Sequence, residues 1–161
     1  MIYRLDDPKI HQPFPKAANF TPWEFRCKDR ENLDYKGPIT DIIKVDHRLV
    51  EMLQKMRVNI GRPIRVTSGY RTAAYNDFVG GSQSSRHILG HAADLAVEGV
   101  ATDIVATYAY MAGFRRIGIA NTFTHCDIGP GEAYWVYNGV TPSTLESWKK
   151  QINTMFKGHS G

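Results

Sequence analysis

Length, composition and charge are those of one globular domain: 161 residues, 42% hydrophobic and 11% aromatic, with a net charge of +4. They argue against an intrinsically disordered chain and against two full domains. No apolar run approaches the roughly 20 residues of a membrane-spanning helix. The N-terminus lacks the apolar stretch of a signal peptide, and two cysteines are too few for a disulfide-rich secreted scaffold. The positive charge suits anionic polymers, whether nucleic acid or cell wall.

The first part of the chain is predicted to hold an arm and one strong helix. Residues 1–20 are proline-rich, which predicts an N-terminal arm beside a single domain of residues 21–161. Thr21 followed by Pro22 predicts the start of a short helix. Between residues 45 and 60, apolar residues recur at spacings of three and four, which predicts a long helix that Gly61 ends.

The rest of the chain is predicted to alternate between short strands and helices. The predicted strands are 63–67, 91–97, 116–120, 123–128 and 134–137, and the predicted helices are 72–79, 103–112 and one that starts at Thr141. The helix at 103–112 is expected to bury Ile104, Val105, Tyr108, Met111 and Ala112, and the last helix Leu145, Trp148, Ile152, Met155 and Phe156. Because no regular βαβ rhythm is present and short strands are adjacent, we predict an α+β fold with an antiparallel sheet packed with helices.

Two short segments hold polar residues in apolar surroundings. One, residues 85–94, contains His87 and Asp94, and the other, residues 124–127, contains His125 and Asp127. Histidine and carboxylate groups are ligands that suit zinc. In a strand, His125 and Asp127 face one side and the intervening cysteine faces the core or the back of the sheet. The alternative is that these histidines are surface residues or hydrogen-bonded core residues.

A rival metal site would pair His87 with His91 on a helix, as in HExxH zinc peptidases. Gly90 inside such a helix costs about 1 kcal/mol, and no glutamate follows His87. A loop that leads into a strand is therefore the preferred geometry. Arg71, just after the first predicted strand of the domain, is a candidate to clamp a substrate carboxylate or an oxyanion, against the alternative of a surface ion pair.

Four motifs stand in order along the chain: SGYR at 68–71, NxxVGG at 76–81, SxHxxGxAxD at 85–94 and FxHxDxG at 123–129. With upstream residues from Asn19 onward, they resemble the zinc D-alanyl-D-alanine metallopeptidase family, the peptidoglycan peptidases of the hedgehog/DD-peptidase fold. The resemblance covers residues 19 to 129. It implies that His87, Asp94 and His125 hold a zinc ion (Zn2+).

The resemblance also bears on the catalytic residues. Three protein ligands leave a fourth position open, which is typical of catalytic zinc sites. One branch of the family has a glutamate three residues before the last ligand, where this chain has Thr122. Another branch has an aspartate two residues after that ligand, which Asp127 matches. The resemblance implies that Asp127 is the base or the group that orients His125, and Arg71 is expected to hold the substrate carboxylate or the oxyanion.

The activity that the resemblance implies is zinc-dependent hydrolysis of peptide bonds in peptidoglycan stem peptides or cross-links, as a carboxypeptidase or an endopeptidase. The missing export signal fits a phage-type lysin (an endolysin), and equally an exported enzyme without its leader; in both cases the cell wall is the expected place of action. The alternative is a zinc-containing, non-catalytic cell-wall binding module. Nucleic acid is not an expected partner, since no basic stripe is interleaved with aromatics, and a monomer is expected.

Overall fold

Two sheets and four α-helices make up the fold in the computed structural model, which describes residues 1–157. The strands are β1 (Ile2–Arg4), β2 (Ile42–Lys44), β3 (Arg65–Ser68), β4 (Ala92–Ala96), β5 (Arg116–Ile119), β6 (Thr124–Asp127) and β7 (Ala133–Val136). The α-helices are α1 (His47–Ile60), α2 (Ala73–Phe78), α3 (Thr102–Met111) and α4 (Pro142–Ile152). Short 3-10 helices occupy Pro8–His11, Pro22–Phe25 and Arg86–Leu89, and a π-helical turn follows α4 at Asn153–Lys157.

The larger sheet has five strands in the order β3-β4-β6-β5-β7. All neighbours in it are antiparallel except the edge pair β5 and β7, which is parallel. The smaller sheet is the antiparallel pair of β1 and β2. Helices α3 and α4 pack against the larger sheet, α1 packs against α3, and all of them share one apolar core with the sheet. The α+β class predicted from the sequence is confirmed.

The proline-rich N-terminal residues are packed into the same core as the rest of the chain. Strand β1 pairs with β2, and the side chains of Ile10, Phe14 and Phe20 are buried. Pro22 opens the 3-10 helix Pro22–Phe25, in which Glu24 accepts a hydrogen bond from the backbone N–H of Thr21 at 2.7 Å. The short helix predicted at Thr21 is therefore present, in the tighter 3-10 form.

The sequence misidentified part of the buried face of two helices. In α3, Ile104 and Met111 are half exposed, whereas Ala106 and Ala109 face the core. Apolar residues surround most of α3, so their spacing does not mark the buried face. After α4, Met155 and Phe156 are exposed because the π-helical turn changes the angular spacing of the side chains.

Within the described residues, the two cysteines form no disulfide and the helices provide no membrane span. Cys27 and Cys126 are both buried free thiols. Within residues 1–157, every helix is too short or too polar to cross a bilayer.

Helix α1 begins at an N-cap that also pairs with a cation. Asp46 accepts from the backbone N–H of Arg48 at 2.8 Å, and the Arg48 guanidinium bonds the same carboxylate. These hydrogen bonds hold the pKa of Asp46 at about 2, below its ordinary 3.8. Because the pKa is lower in the folded state, the carboxylate stabilises the fold above about pH 4, and this contribution is lost as the pH falls toward 2.

We therefore expect Asp46→Ala to lower the free energy of unfolding by about 1 kcal/mol at pH 7, the usual effect of losing an N-cap. The difference from the unmodified protein should shrink between pH 4 and pH 3. Urea unfolding at both pH values measures it. Asp6→Ala, which removes an exposed carboxylate paired with an exposed arginine, is the control and should change little. A loss that is equal at all pH values would contradict the assignment.

Candidate metal centre and substrate cleft

Two neighbouring strands and one loop bring the histidine and aspartate residues together. Asp94 on β4 stands directly opposite His125 on β6. His125 and Asp127 point to the same face of the sheet, and Cys126 is fully buried on the other, as the strand period predicts. His87 comes from the 3-10 helix Arg86–Leu89, which precedes β4 and is followed by Gly90 in the left-handed conformation, φ 73°.

The three side chains form a compact group of potential metal ligands. One ligand atom from each of His87, Asp94 and His125 lies within 4.8 Å of the others. Asp94 Oδ1 is 3.3 Å from His87 Nε2 and 2.9 Å from His125 Nδ1. All three residues are buried, with exposed fractions of 3%, 5% and 6%. The structure thus brings together the three residues that the resemblance implies as ligands.

Each histidine ring is held by a hydrogen bond at its other nitrogen. His87 Nδ1 donates to the carbonyl of Gly69 at 2.7 Å, which directs the Nε2 lone pair toward Asp94. His125 Nε2 donates to Asp127 Oδ2 at 2.8 Å, which directs Nδ1 toward Asp94. Metal-binding histidines are oriented in this way by carbonyl and carboxylate partners.

The donor set fits a divalent cation. Two imidazole nitrogens face one oxygen of Asp94, and their lone pairs repel that oxygen unless a proton or a metal ion lies between them. Nitrogen and carboxylate oxygen are ordinary zinc ligands. Three protein ligands beside an open cleft leave room for a further ligand, as in catalytic zinc sites. The residues present therefore fit the zinc ion that the resemblance implies.

Burial and hydrogen bonding act in opposite directions on these groups. When protons rather than a metal ion occupy the facing nitrogens, burial would raise the pKa of Asp94, but hydrogen bonds from His125 and His87 hold it well below its usual range. Burial would lower the pKa of His125, but its hydrogen bonds with Asp127 and Asp94 raise it above the ordinary value. The Asp94 carboxylate is therefore ionised, and its negative charge is compatible with a bound cation.

Asp127 has both carboxylate oxygens engaged. Oδ2 accepts from His125, and Oδ1 accepts from Arg116 Nε and from the backbone N–H of Gly129, both at 2.8 Å. Burial would raise the pKa of Asp127, but the hydrogen bonds from His125 and Gly129 lower it. A carboxylate this well bonded is a weak proton acceptor. Of the two roles inferred for Asp127, the geometry favours orientation of His125.

Arg71 lies beside the cluster and is fixed by three neighbours. Its Nε donates to Ser68 Oγ at 3.0 Å and its Nη1 to Asn76 Oδ1 at 3.2 Å, while Nη2 is 3.5 Å from Asp94 Oδ2. Asn76 is fully buried and donates to the carbonyl of Ser82 at 2.8 Å, which ties the following loop to α2. Arg71 is thus an internal part of the site, and its alternative as a surface ion pair is wrong.

A cleft of about 610 Å³ opens above the cluster. Its lining includes the cluster residues, three arginines and three aromatic side chains. These are Arg71, Arg86, Arg116, Phe123, Trp135 and Tyr137. The loop 79–85 forms another side of the cleft.

Three aromatic side chains form one side of the cleft. The sequence favours core packing for Trp135 and leaves a place in a substrate groove as the alternative; the structure places Trp135 over Gly118, with its ring centre 5.3 Å from that of His125. A side chain at position 118 would collide with Trp135 and Tyr137. Burial raises the pKa of Tyr137 to about 12, and Asp94 contributes to this rise, so its hydroxyl stays protonated at neutral pH. Only the parallel pairing of β7 with β5 places these residues here; Trp148, by contrast, is buried in the core.

His91 takes no part in the cluster. Its Nε2 lies 3.6 Å from Asp46 Oδ2, at the start of α1. The 3-10 helix that carries His87 ends at Leu89, so His87 and His91 do not share a helix. The rival pairing of these two histidines is wrong because Gly90 turns the chain between them.

Comparison with known proteins agrees with the motifs. Residues 18–127, more than half of the chain, match the family described as Peptidase M15. A zinc D-Ala-D-Ala carboxypeptidase of Streptomyces albus G is 34% identical over 143 residues, which cover 83% of this chain and 52% of the relative. The chain therefore spans about half the length of that relative. The matched region includes His87, Asp94 and His125, and the chain belongs to the Peptidase M15 family.

Proposed function

We propose that the chain is a zinc-dependent peptidase that hydrolyses peptide bonds in peptidoglycan stem peptides or cross-links. The observation that carries this proposal is the His87, Asp94 and His125 cluster, buried at the bottom of a cleft with Arg71 beside it. The relative from Streptomyces albus G, named as a zinc D-Ala-D-Ala carboxypeptidase, supports both the metal and the substrate class.

In this proposal, His87 Nε2, His125 Nδ1 and Asp94 hold the zinc ion. Zinc supplies Lewis acidity, which polarises a carbonyl group and lowers the pKa of water. Asp127 is a positioning residue: it keeps a proton on His125 Nε2 and so leaves Nδ1 free for the metal. Arg116 and the Gly129 N–H fix Asp127 in turn.

Arg71 and the aromatic side chains act on the substrate. With Nε and Nη1 already bonded, Arg71 keeps Nη2 near the cluster, where it can stabilise negative charge that develops on the carbonyl oxygen. Trp135 and Phe123 cover one side of the cleft and exclude water from the reacting bond. The protonated hydroxyl of Tyr137 is a hydrogen-bond donor in the same cleft.

The setting of this activity is the cell wall, and we propose that the chain acts there as a monomer. A net charge of +4 favours binding to an anionic wall. A phage-type lysin is one form of this proposal, and addition of the protein to intact and to permeabilised cells tests it by the fall in turbidity.

Digestion of purified peptidoglycan with and without a chelator tests the proposed activity. We expect cleavage by the protein loaded with one equivalent of zinc, loss of cleavage after chelation, and recovery when zinc is returned. Mass spectrometry of the products identifies the bond: loss of single alanine residues indicates a carboxypeptidase, and conversion of cross-linked pairs to monomers indicates an endopeptidase. Cleavage that is unaffected by complete removal of the metal would overturn the zinc mechanism.

A second candidate is a non-catalytic cell-wall binding module with the same metal site. It is favoured by the state of the acidic groups in the described cleft. Asp94 belongs to the cluster, and Asp127 is already fully bonded. Neither is a free general base. The same digestion separates the two candidates, because a module would sediment with peptidoglycan and retain zinc but release no products.

A further inference from the structure

Three arginines line the cleft, and two of them have their partners within the protein. Arg71 bonds Ser68 and Asn76 and lies near Asp94. Arg116 donates to Asp127 at 2.8 Å. Within residues 1–157, the guanidinium of Arg86 has neither a side-chain hydrogen bond nor an ion pair, although the residue is only partly exposed and lines the cleft next to His87.

The Arg86 and Arg116 guanidinium groups are close together at Gly129. A Cβ atom at Gly129 would stand 2.9 Å from Arg86 Nε, 2.9 Å from Arg116 Nε and 2.9 Å from Asp127 Oδ1. The two Nε atoms are therefore separated by no more than twice that distance. Gly129 leaves the space that both cations occupy.

The charges at this point do not balance. Two guanidinium groups lie at Gly129 beside one carboxylate, that of Asp127, which pairs with Arg116 and already accepts from His125, Arg116 and the Gly129 N–H. The whole cleft has three arginines against two aspartates, and a bound metal ion adds further positive charge. A partly buried guanidinium without an anion is an unfavourable arrangement that an incoming carboxylate would relieve.

We propose that Arg86 binds a carboxylate of the substrate, and that it is a specificity-determining residue of the cleft. This proposal rests on the proposed function, since it assigns a part of the substrate to a part of the same cleft. In this proposal the two arginines have different roles: Arg71 acts at the reacting carbonyl, and Arg86 binds the free carboxylate. The planar guanidinium can donate to both oxygens of that carboxylate.

Matched substrates test the proposal and identify the carboxylate. One pair of synthetic stem peptides ends in D-alanyl-D-alanine as the free acid or as the amide; a second pair has the internal side-branch carboxylate free or amidated. For one pair we expect kcat/KM to favour the acid by about 10- to 100-fold, the range of a charge-assisted hydrogen bond. In Arg86→Gln this preference should fall to about threefold or less, mainly through KM.

Two further variants separate recognition from general charge or folding effects. Arg86→Lys keeps the positive charge but lacks the paired N–H donors of a guanidinium, and should retain part of the acid preference. Arg62→Gln removes a positive charge whose group bonds the carbonyl of Glu98 outside the cleft, and should leave the preference unchanged. The proposal is overturned if the unmodified protein cleaves acid and amide equally, or if Arg86→Gln keeps the full preference.

A binding measurement keeps this proposal distinct from the proposed function. Calorimetric titration of the same peptides into the metal-free protein does not depend on catalysis. If no peptide is cleaved, the proposed function fails, but binding of the acid about tenfold tighter to the unmodified protein than to Arg86→Gln still supports the role of Arg86. Equal affinity, or no measurable binding by either protein, overturns it.

Discussion

Replacing His87 with alanine is expected to abolish peptidase activity and to release zinc. The substitution removes one of three protein ligands and leaves Asp94 buried against a single imidazole. The zinc Kd should rise by more than the 10- to 100-fold that loss of a partner outside the ligand set usually costs. Competition with a metal indicator measures the affinity, and elemental analysis of the purified variant measures retained zinc.

His91→Ala is the matched control, because His91 is the same residue type four positions along the chain but lies beside Asp46. This variant should bind zinc and cleave substrate like the unmodified protein. Circular dichroism of both variants without metal establishes that each is folded. Retention of stoichiometric zinc by His87→Ala at the original affinity would show that His87 is not a metal ligand.

Asp127→Asn is expected to weaken zinc binding by about 10- to 100-fold and to lower activity in parallel at limiting zinc. The variant keeps the shape of the side chain but loses the charge that holds the proton on His125 Nε2. Because the defect is one of ligand orientation, saturating zinc should restore most of the activity. Activity and zinc affinity measured on the same preparation distinguish this role from proton transfer.

The alternative role predicts the reverse pattern. If Asp127 were the general base, zinc affinity would be unchanged, activity would fall by about 10²- to 10⁴-fold, and added zinc would not restore it. The pH dependence of kcat/KM would also lose the limb that belongs to that base. Such a result would assign to Asp127 the role of general base, which its hydrogen bonds disfavour.

The resemblance of the motifs implied the three residues of the cluster, and the strand period predicted on which face two of the polar residues lie. The alternation of side chains along a strand places His125 and Asp127 on one face, and Gly90 separates His87 from His91. The pairing of Asp94 with His125 depends on the register between β4 and β6, which arises from long-range packing. The motifs are compatible with that register, but their local sequence cannot predict it.

The other parts of the cleft were beyond the reach of the sequence. An arginine such as Arg86 has no local signal that distinguishes a cleft from an exposed surface. Trp135 is a large aromatic residue of the kind usually found in a core, and its position in the cleft follows from the parallel pairing of β7 with β5. The same limit applies to Ile104, which is apolar and yet half exposed. Tertiary packing decides such positions.

The left-handed turn at Gly90 links the metal-binding loop to the opposite end of the chain. The Gly90 carbonyl accepts from the Asp46 N–H at 2.9 Å, and a side chain at Gly90 would strike the backbone of Lys44 in β2. Strand β2 is in turn paired with β1, and the Val45 N–H bonds the carbonyl of Met1 at 3.0 Å. The N-terminal strand thus supports the loop that carries His87 through two successive sets of backbone hydrogen bonds.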